Sequence, residues 1–174
     1  MSEQQDQQQD TSATAAQSST LDPETMRREL ALEQAINARL DELVRQVNQT
    51  IAALGNETRL EKNQFRNLLN VSQQSPSVEV VINFIRYQIG RSGRDWNDNN
   101  FGHRVIEDLR GKVAEIAGQV VKDVRAKGMA ISDERQQQVY VQLTQLYLGY
   151  LNRAFFYGKE MKDFRKLQEV TRDQ

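Results

Sequence analysis

The sequence predicts an all-α protein, a five-helix bundle with a disordered N-terminal tail. Three observations carry that prediction. Apolar residues recur at intervals of three and four over most of the chain. Both prolines, Pro23 and Pro76, stand at expected helix starts rather than inside helices. Glycines at 55, 90 and 128 follow periodic runs, where a helix C-terminus favours them. At 174 residues the chain is long enough for one domain around a single core. The expected organisation is a leader over residues 1–20 and one helical-bundle domain over 21–174.

Residues 1–20 are Gln-, Ser-, Thr- and Ala-rich with no large apolar side chain after Met1. Such a segment cannot bury enough surface to offset its ordering entropy, so disorder is expected. Asp22-Pro23-Glu24 reads as N-cap, first-turn proline and acidic first turn. One long helix should follow to about Leu54, with Leu30, Ile36, Leu40, Leu43, Val47, Ile51 and Leu54 on its inner stripe. Gly55-Asn56 ends it. That narrow stripe suits a helix lying on a bundle, and it also suits pairing with another chain.

A short helix is expected from about Glu57 to Asn70, carrying Leu60, Phe65, Leu68 and Leu69 inward. On it Arg59, Lys62 and Arg66 would stack on the opposite face. Three cations in two turns can grip phosphates along a strand, or simply form a solvated face. The run SVEVVINFIRYQIGR, Ser77 to Arg91, is the most apolar of the chain. Val78, Val81, Ile82, Ile85 and Ile89 form one face, and Val80, Phe84 and Tyr87 a second, so the helix should be buried between others. Val, Ile and Phe also suit a buried strand, but the length without a turn favours a helix ending at Gly90. Arg86, on the narrow polar strip, can equally form an internal salt bridge.

Ser92 to Asn100 reads as a polar loop, whose Trp96 can close the core or stack on a base. A helix from about Gly102 to Lys127 then buries Ile106, Leu109, Val113, Ile116, Val120 and Val124. Gly111 and Gly118 lie seven apart on it, as where another helix approaches. Ser132 should cap the last helix. Its two stripes, Val139, Leu143, Leu146, Tyr150, Ala154, Tyr157, Met161 and Phe164, and Tyr140, Tyr147, Leu151 and Phe155, mark it as central. Gly158 should bend or end it, leaving a basic stretch of Lys159, Lys162, Arg165 and Lys166.

Composition narrows the chemistry. The chain has no cysteine, which removes disulfides, thiolate catalysis and cysteine zinc sites. Its single histidine, His103, has no partner of its kind and reads as a surface residue. GRSGRDW has neither the P-loop nor the dinucleotide glycine pattern. Glu107-Asp108 and Asp133-Glu134 diverge on a helix and make poor acid–base or metal pairs. No enzyme, no cofactor and no metal are expected. Lys and Arg number 23 against 24 Asp and Glu, but the distribution is uneven. Residues 1–50 carry a net −5 and residues 51–174 a net +4, which leaves room for a basic face. No apolar run nears the roughly 18 residues of a membrane span, and the N-terminus lacks the regions of a signal peptide. A cytoplasmic location away from membranes is therefore expected.

NQFRNLLN followed by INFIRYQIGR, and the later LYLGYLNRAFFYGK, resemble a known family. They are similar to the small all-helical subunit of type III CRISPR effector complexes, the Csm-type small subunit. The likeness covers about Glu57–Arg91 and Gln138–Lys162. The long leader, the full helix ahead of the first matching segment and the long connection after Arg91 depart from the family pattern. The resemblance implies a non-catalytic subunit present in several copies, contacting other effector subunits, guide RNA and target RNA. It implies phosphate contacts from Lys62, Arg66 and Arg91; helical spacing and proximity add Arg59 and Arg94. The alternative from another class is a helical protein adaptor without RNA binding, using the Met26–Leu54 stripe or the tyrosine-rich final helix. A DNA-binding regulator ranks behind both, because no compact helix-turn-helix is present.

Overall fold

Helix ends in this chain sit where side chains or glycines can satisfy the free backbone. The computed structural model describes residues 22–92 and 95–169, so the leader over residues 1–20 lies outside the described residues. The elements are α1 (Pro23–Asn37), α2 (Leu40–Ala52), α3 (Lys62–Gln74), α4 (Val78–Ser92), α5 (Phe101–Asp108), α6 (Ala114–Ala126), α7 (Asp133–Met161) and a short α8 (Lys166–Glu169). A π-helical turn, Leu109–Val113, joins α5 to α6 in one rod. With α1 and α2 as one bent arm, the five expected helices are present, and no strand occurs among the described residues.

Asp22 caps α1 by accepting the backbone N–H of Glu24 at 2.9 Å and of Thr25 at 3.0 Å, with Pro23 in first position. The arm then breaks, against the expectation of one straight helix to Leu54. Arg39 adopts φ −110°, ψ 0°, and its guanidinium reaches across to Asp123 of α6 at 2.7 Å and to Gln119. The break changes which side of α1 is covered. Ala31, Leu32, Ala35 and Ile36 are buried, while Leu30, assigned to the inner stripe, is 55% exposed. Small alanines let α1 lie close against α6, its main neighbour. In α2 the expected stripe holds, with Leu43, Val47 and Ile51 buried. Gly55 closes it at φ +81°, a conformation natural to glycine.

The third helix starts later than its apolar pattern alone indicates. Glu61 and Gln64 form a capping box, each side chain taking the other's backbone N–H, so α3 begins at Lys62 and Thr58–Glu61 lie outside it. Leu60 is buried there all the same. A brief link then turns the chain back into α4, which is a helix and not a strand. Its inner face matches expectation, with Val78, Val81, Ile82 and Ile85 buried. Its second apolar face does not. Val80 is 52% and Tyr87 55% exposed, so α4 lies on the surface of the bundle instead of between helices. Gly90 is interior to α4, which continues through Arg91 to Ser92, and it does not stop the helix.

Trp96 is fully buried and serves core closure. Its ring lies 6.0 Å from Phe65 and 5.8 Å from Phe101. Asn99 and Asn100 take left-handed φ values of 48° and 58°, which asparagine tolerates best among residues with side chains. Asn99 donates its side-chain amide to Leu54 O at 2.6 Å, covering the end of α2. Gly111 and Gly118 face open space, so no helix among the described residues approaches them. Ser132 caps α7 by accepting the Arg135 N–H at 3.2 Å. As its two stripes indicate, α7 is central and touches α2, α3, α4, α6 and α8. Gly158 lies within α7 and does not end it. The helix terminates at Lys162, in a left-handed conformation, and Phe164 folds back onto Gly158.

The buried side chains form one cluster from Ala31 to Leu167. Gly102 is one of its tight points, where backbone as well as side chain crowds the site. A Cβ there would stand 2.6 Å from Ile89 Cγ1 and 3.0 Å from the Trp96 carbonyl oxygen. The Gly102 N–H already donates to that same carbonyl at 2.8 Å, which fixes the approach. We expect Gly102→Ala to lower unfolding free energy by about 1–3 kcal/mol through overpacking. Urea denaturation of both proteins checks this, and an unchanged midpoint would contradict the packing.

Candidate functional site

Four of the five cations singled out in the sequence lie within the described residues; Arg94 lies outside them. They do not form the expected single ladder. Arg59 precedes α3, because the capping box delays the helix, and its backbone N–H donates to Asp98 at 2.9 Å. Its side chain is exposed. Lys62, the first residue of α3, turns toward α7. It pairs with Glu160 and sits 4.7 Å over the Phe156 ring. Arg66, one turn on, is exposed and has no ion-pair partner among the described residues.

Arg91 closes α4 at the end of the bundle where Lys62 opens α3. Gln64 of α3 donates to Asp95 at 3.1 Å, just beyond α4, which ties those two ends together. Gln64 and Lys62 lie on different flanks of α3, so Lys62 is directed away from α4. Arg91 is exposed, and its guanidinium lies 5.9 Å from the Tyr87 ring centroid. Arg86 is also exposed and makes no internal salt bridge among the described residues. The structure thus gathers Arg59, Lys62 and Arg91 at one end, with Arg66 a turn away, and commits Lys62 to α7.

The basic stretch after α7 is mixed in character. Lys159 donates to Thr58 O at 3.3 Å and lies 5.6 Å from the Phe155 ring. Arg165 pairs with Asp163 at 3.4 Å. Lys162 and Lys166 are exposed. His103 is exposed, in keeping with a surface histidine. Among the described residues no group of three or more His, Asp or Glu is placed to hold a metal ion. No helix among them is long and apolar enough to cross a membrane.

A polar site in the interior was not legible as one. Asp108, the last residue of α5, accepts hydrogen bonds from Gln46 Nε2 at 2.7 Å and from the hydroxyls of Thr50 and Tyr147. Tyr147 is fully buried. Two turns back along α7, Tyr140 donates to the Leu109 carbonyl at 2.7 Å, at the start of the π turn. Burial pushes the Asp108 carboxyl above the ordinary aspartate range, against the pull of its three donors. Burial likewise pushes the Tyr147 hydroxyl well above its usual value, with the Asp108 charge adding to it. The site fastens α2, the α5–α6 rod and α7 together. In this geometry the carboxyl cross-links three helices.

No family model matches the chain, and no curated protein and no solved structure matches it either.

The Asp108 site has a measurable signature. Its carboxyl binds a proton more tightly folded than unfolded, so its ionisation favours the unfolded chain. Its contribution is greatest below the unfolded value of about 4. It is lost as pH rises through the raised folded value. Asp108→Asn should flatten the stability–pH curve in that window, as read by urea denaturation at several pH values. Tyr147→Phe, which removes one donor and leaves the ring, should cost about 1–3 kcal/mol at neutral pH. An unaltered melting profile would argue against a working hydrogen bond.

Proposed function

We propose that the chain is a non-catalytic, cytoplasmic subunit of a ribonucleoprotein, holding RNA through backbone phosphates. The resemblance to the small subunit of type III CRISPR effectors gives this reading its setting: several copies beside guide RNA and target RNA. The observation that carries it is the exposure of Arg66 and Arg91 without a carboxylate partner among the described residues. An arginine left unpaired on a helix surface offers a rigid, permanently charged fork to a phosphate. Phosphate contacts position a strand without reading its sequence, so a chain with near-zero net charge can serve where base pairing supplies the specificity. A few contacts per copy are weak, and repetition along one RNA multiplies them.

A second reading, a protein adaptor, is favoured by one feature. Met26 and Leu30 are exposed on α1, facing away from α6 and open to another chain's apolar surface.

The two readings separate in an equilibrium binding series with single-stranded RNA between about 50 and 200 mM salt. RNA binding should be sequence-indifferent and weaken steeply with salt. The combined variant Lys62→Ala, Arg66→Ala and Arg91→Ala should lower the log–log salt slope by about 2. Unchanged target RNA retention by the assembled complex carrying that variant would sink the proposal. No RNA binding at low salt, with a defined protein partner lost on Leu30→Asp, would favour the adaptor.

A further inference from the structure

The outer face of α4 has no occupant within the described chain. Helical spacing places Val80, Asn83, Tyr87, Gly90 and Arg91 along it, with Phe84 on its flank. Tyr87 is the most exposed aromatic of the described residues, though its helix buries four aliphatic side chains on the other side. It stands between Phe84, 6.5 Å away centroid to centroid, and the Arg91 guanidinium at 5.9 Å. Nothing lies within 4 Å of where a Gly90 Cβ would be, and Gly90 has no positive φ. A glycine inside a helix costs about 0.5–1 kcal/mol relative to alanine. No close approach among the described residues requires it.

Charge indicates what such a face accepts. From Val80 to Arg94 the sequence has three arginines and no Asp or Glu. The one acidic residue of α4, Glu79, is at its far end and engaged by Arg110 at 2.7 Å. An exposed ring, an adjacent guanidinium, a side-chain amide and a side-chain-free floor make a poor site for a cationic or plain aliphatic partner. They suit a flat, electron-rich ring joined to an anion. Base-on-aromatic stacking with arginine at the backbone is the usual composition of a single-strand platform.

We infer that the Tyr87 face of α4 is a stacking site for an unpaired nucleobase. The base lies on the Tyr87 ring above Gly90, Arg91 holds the adjoining phosphate, and Asn83 is in reach of the base edge. The inference rests on the phosphate-contact reading and sharpens it: the chain favours single-stranded RNA over duplex, whose bases are already stacked.

The test uses the full chain and two labelled RNAs of equal phosphate number, an oligouridylate and a hairpin duplex, followed by fluorescence anisotropy. The unmodified protein should prefer the oligouridylate. Tyr87→Ala should weaken it by about five- to a hundredfold, with duplex binding unchanged; Tyr87→Phe should retain it. Gly90→Leu, which favours the helix, should weaken single-strand binding without lowering the melting temperature. Arg66→Ala should weaken both RNAs alike. Equal single-strand affinity for Tyr87→Ala and the parent overturns the stacking site and leaves the phosphate reading standing. Absence of any RNA binding at low salt overturns both. Loss of self-association or of a protein partner in Tyr87→Ala would then make the face a protein contact.

Discussion

The aromatic cluster at one end of the bundle holds the rest in register. Phe65 of α3 stacks on Phe155 of α7 with centroids 4.0 Å apart. Trp96 and Phe101 close on Phe65 from the α4–α5 connection, at 6.0 and 5.6 Å, and Phe164 covers Phe155 at 5.7 Å. Five rings from three stretches distant in sequence thus meet in one place. Large rings dominate core energetics because each hides much area at small entropic cost. They also fix orientation: with Phe65 pinned inward, Lys62 must turn to α7 and Arg66 outward. The positions of the surface cations follow from this buried contact.

The Asp108 site does for the other axis of the bundle what the rings do at its end. Apolar packing alone tolerates sliding between helices, since one leucine substitutes for another. A carboxylate that must meet Gln46, Thr50 and Tyr147 together does not slide. The π turn that follows it re-phases the rod, so Leu109 and Val113 are buried on either side of the exposed Gly111. Tyr140 takes up the Leu109 carbonyl there. Partly buried ion pairs between helices, Arg39–Asp123 and Lys112–Glu42, act alongside. They contribute specificity more than stability.

Periodicity made the helices and the centrality of α7 legible, because an apolar stripe reports a buried face directly. The caps at Asp22 and Ser132 and the stops at Gly55 and Gly128 were legible too, since each rests on a local rule. Three features were not. The break at Ala38-Arg39 arises from a tertiary reach, Arg39 to Asp123, that no local rule contains. The late start of α3 was written in Glu61 and Gln64, but the apolar pattern, which includes Leu60, drew the boundary earlier. The exposure of Val80 and Tyr87 depends on how many neighbours α4 has, and an apolar side chain does not state that number. The same ambiguity hid the Asp108 site: Gln46, Thr50 and Tyr147 look ordinary until folding brings them within reach.

Exposure and pairing, taken together, rank the candidate cations in a way spacing cannot. Lys62 already has Glu160 and the Phe156 ring, so moving it to a phosphate gives up an existing contact. Arg66 gives up only water. Arg91 gives up nothing, because its guanidinium can remain beside the Tyr87 ring while its other edge meets an anion. An RNA lying on this protein would therefore find its strongest hold where α4 ends, beside an aromatic ring that the core leaves uncovered. The most apolar stretch of the sequence thus has two duties on opposite sides of one helix. Val78, Val81, Ile82 and Ile85 bind it to the bundle. Tyr87, Gly90 and Arg91 make the face it presents outward.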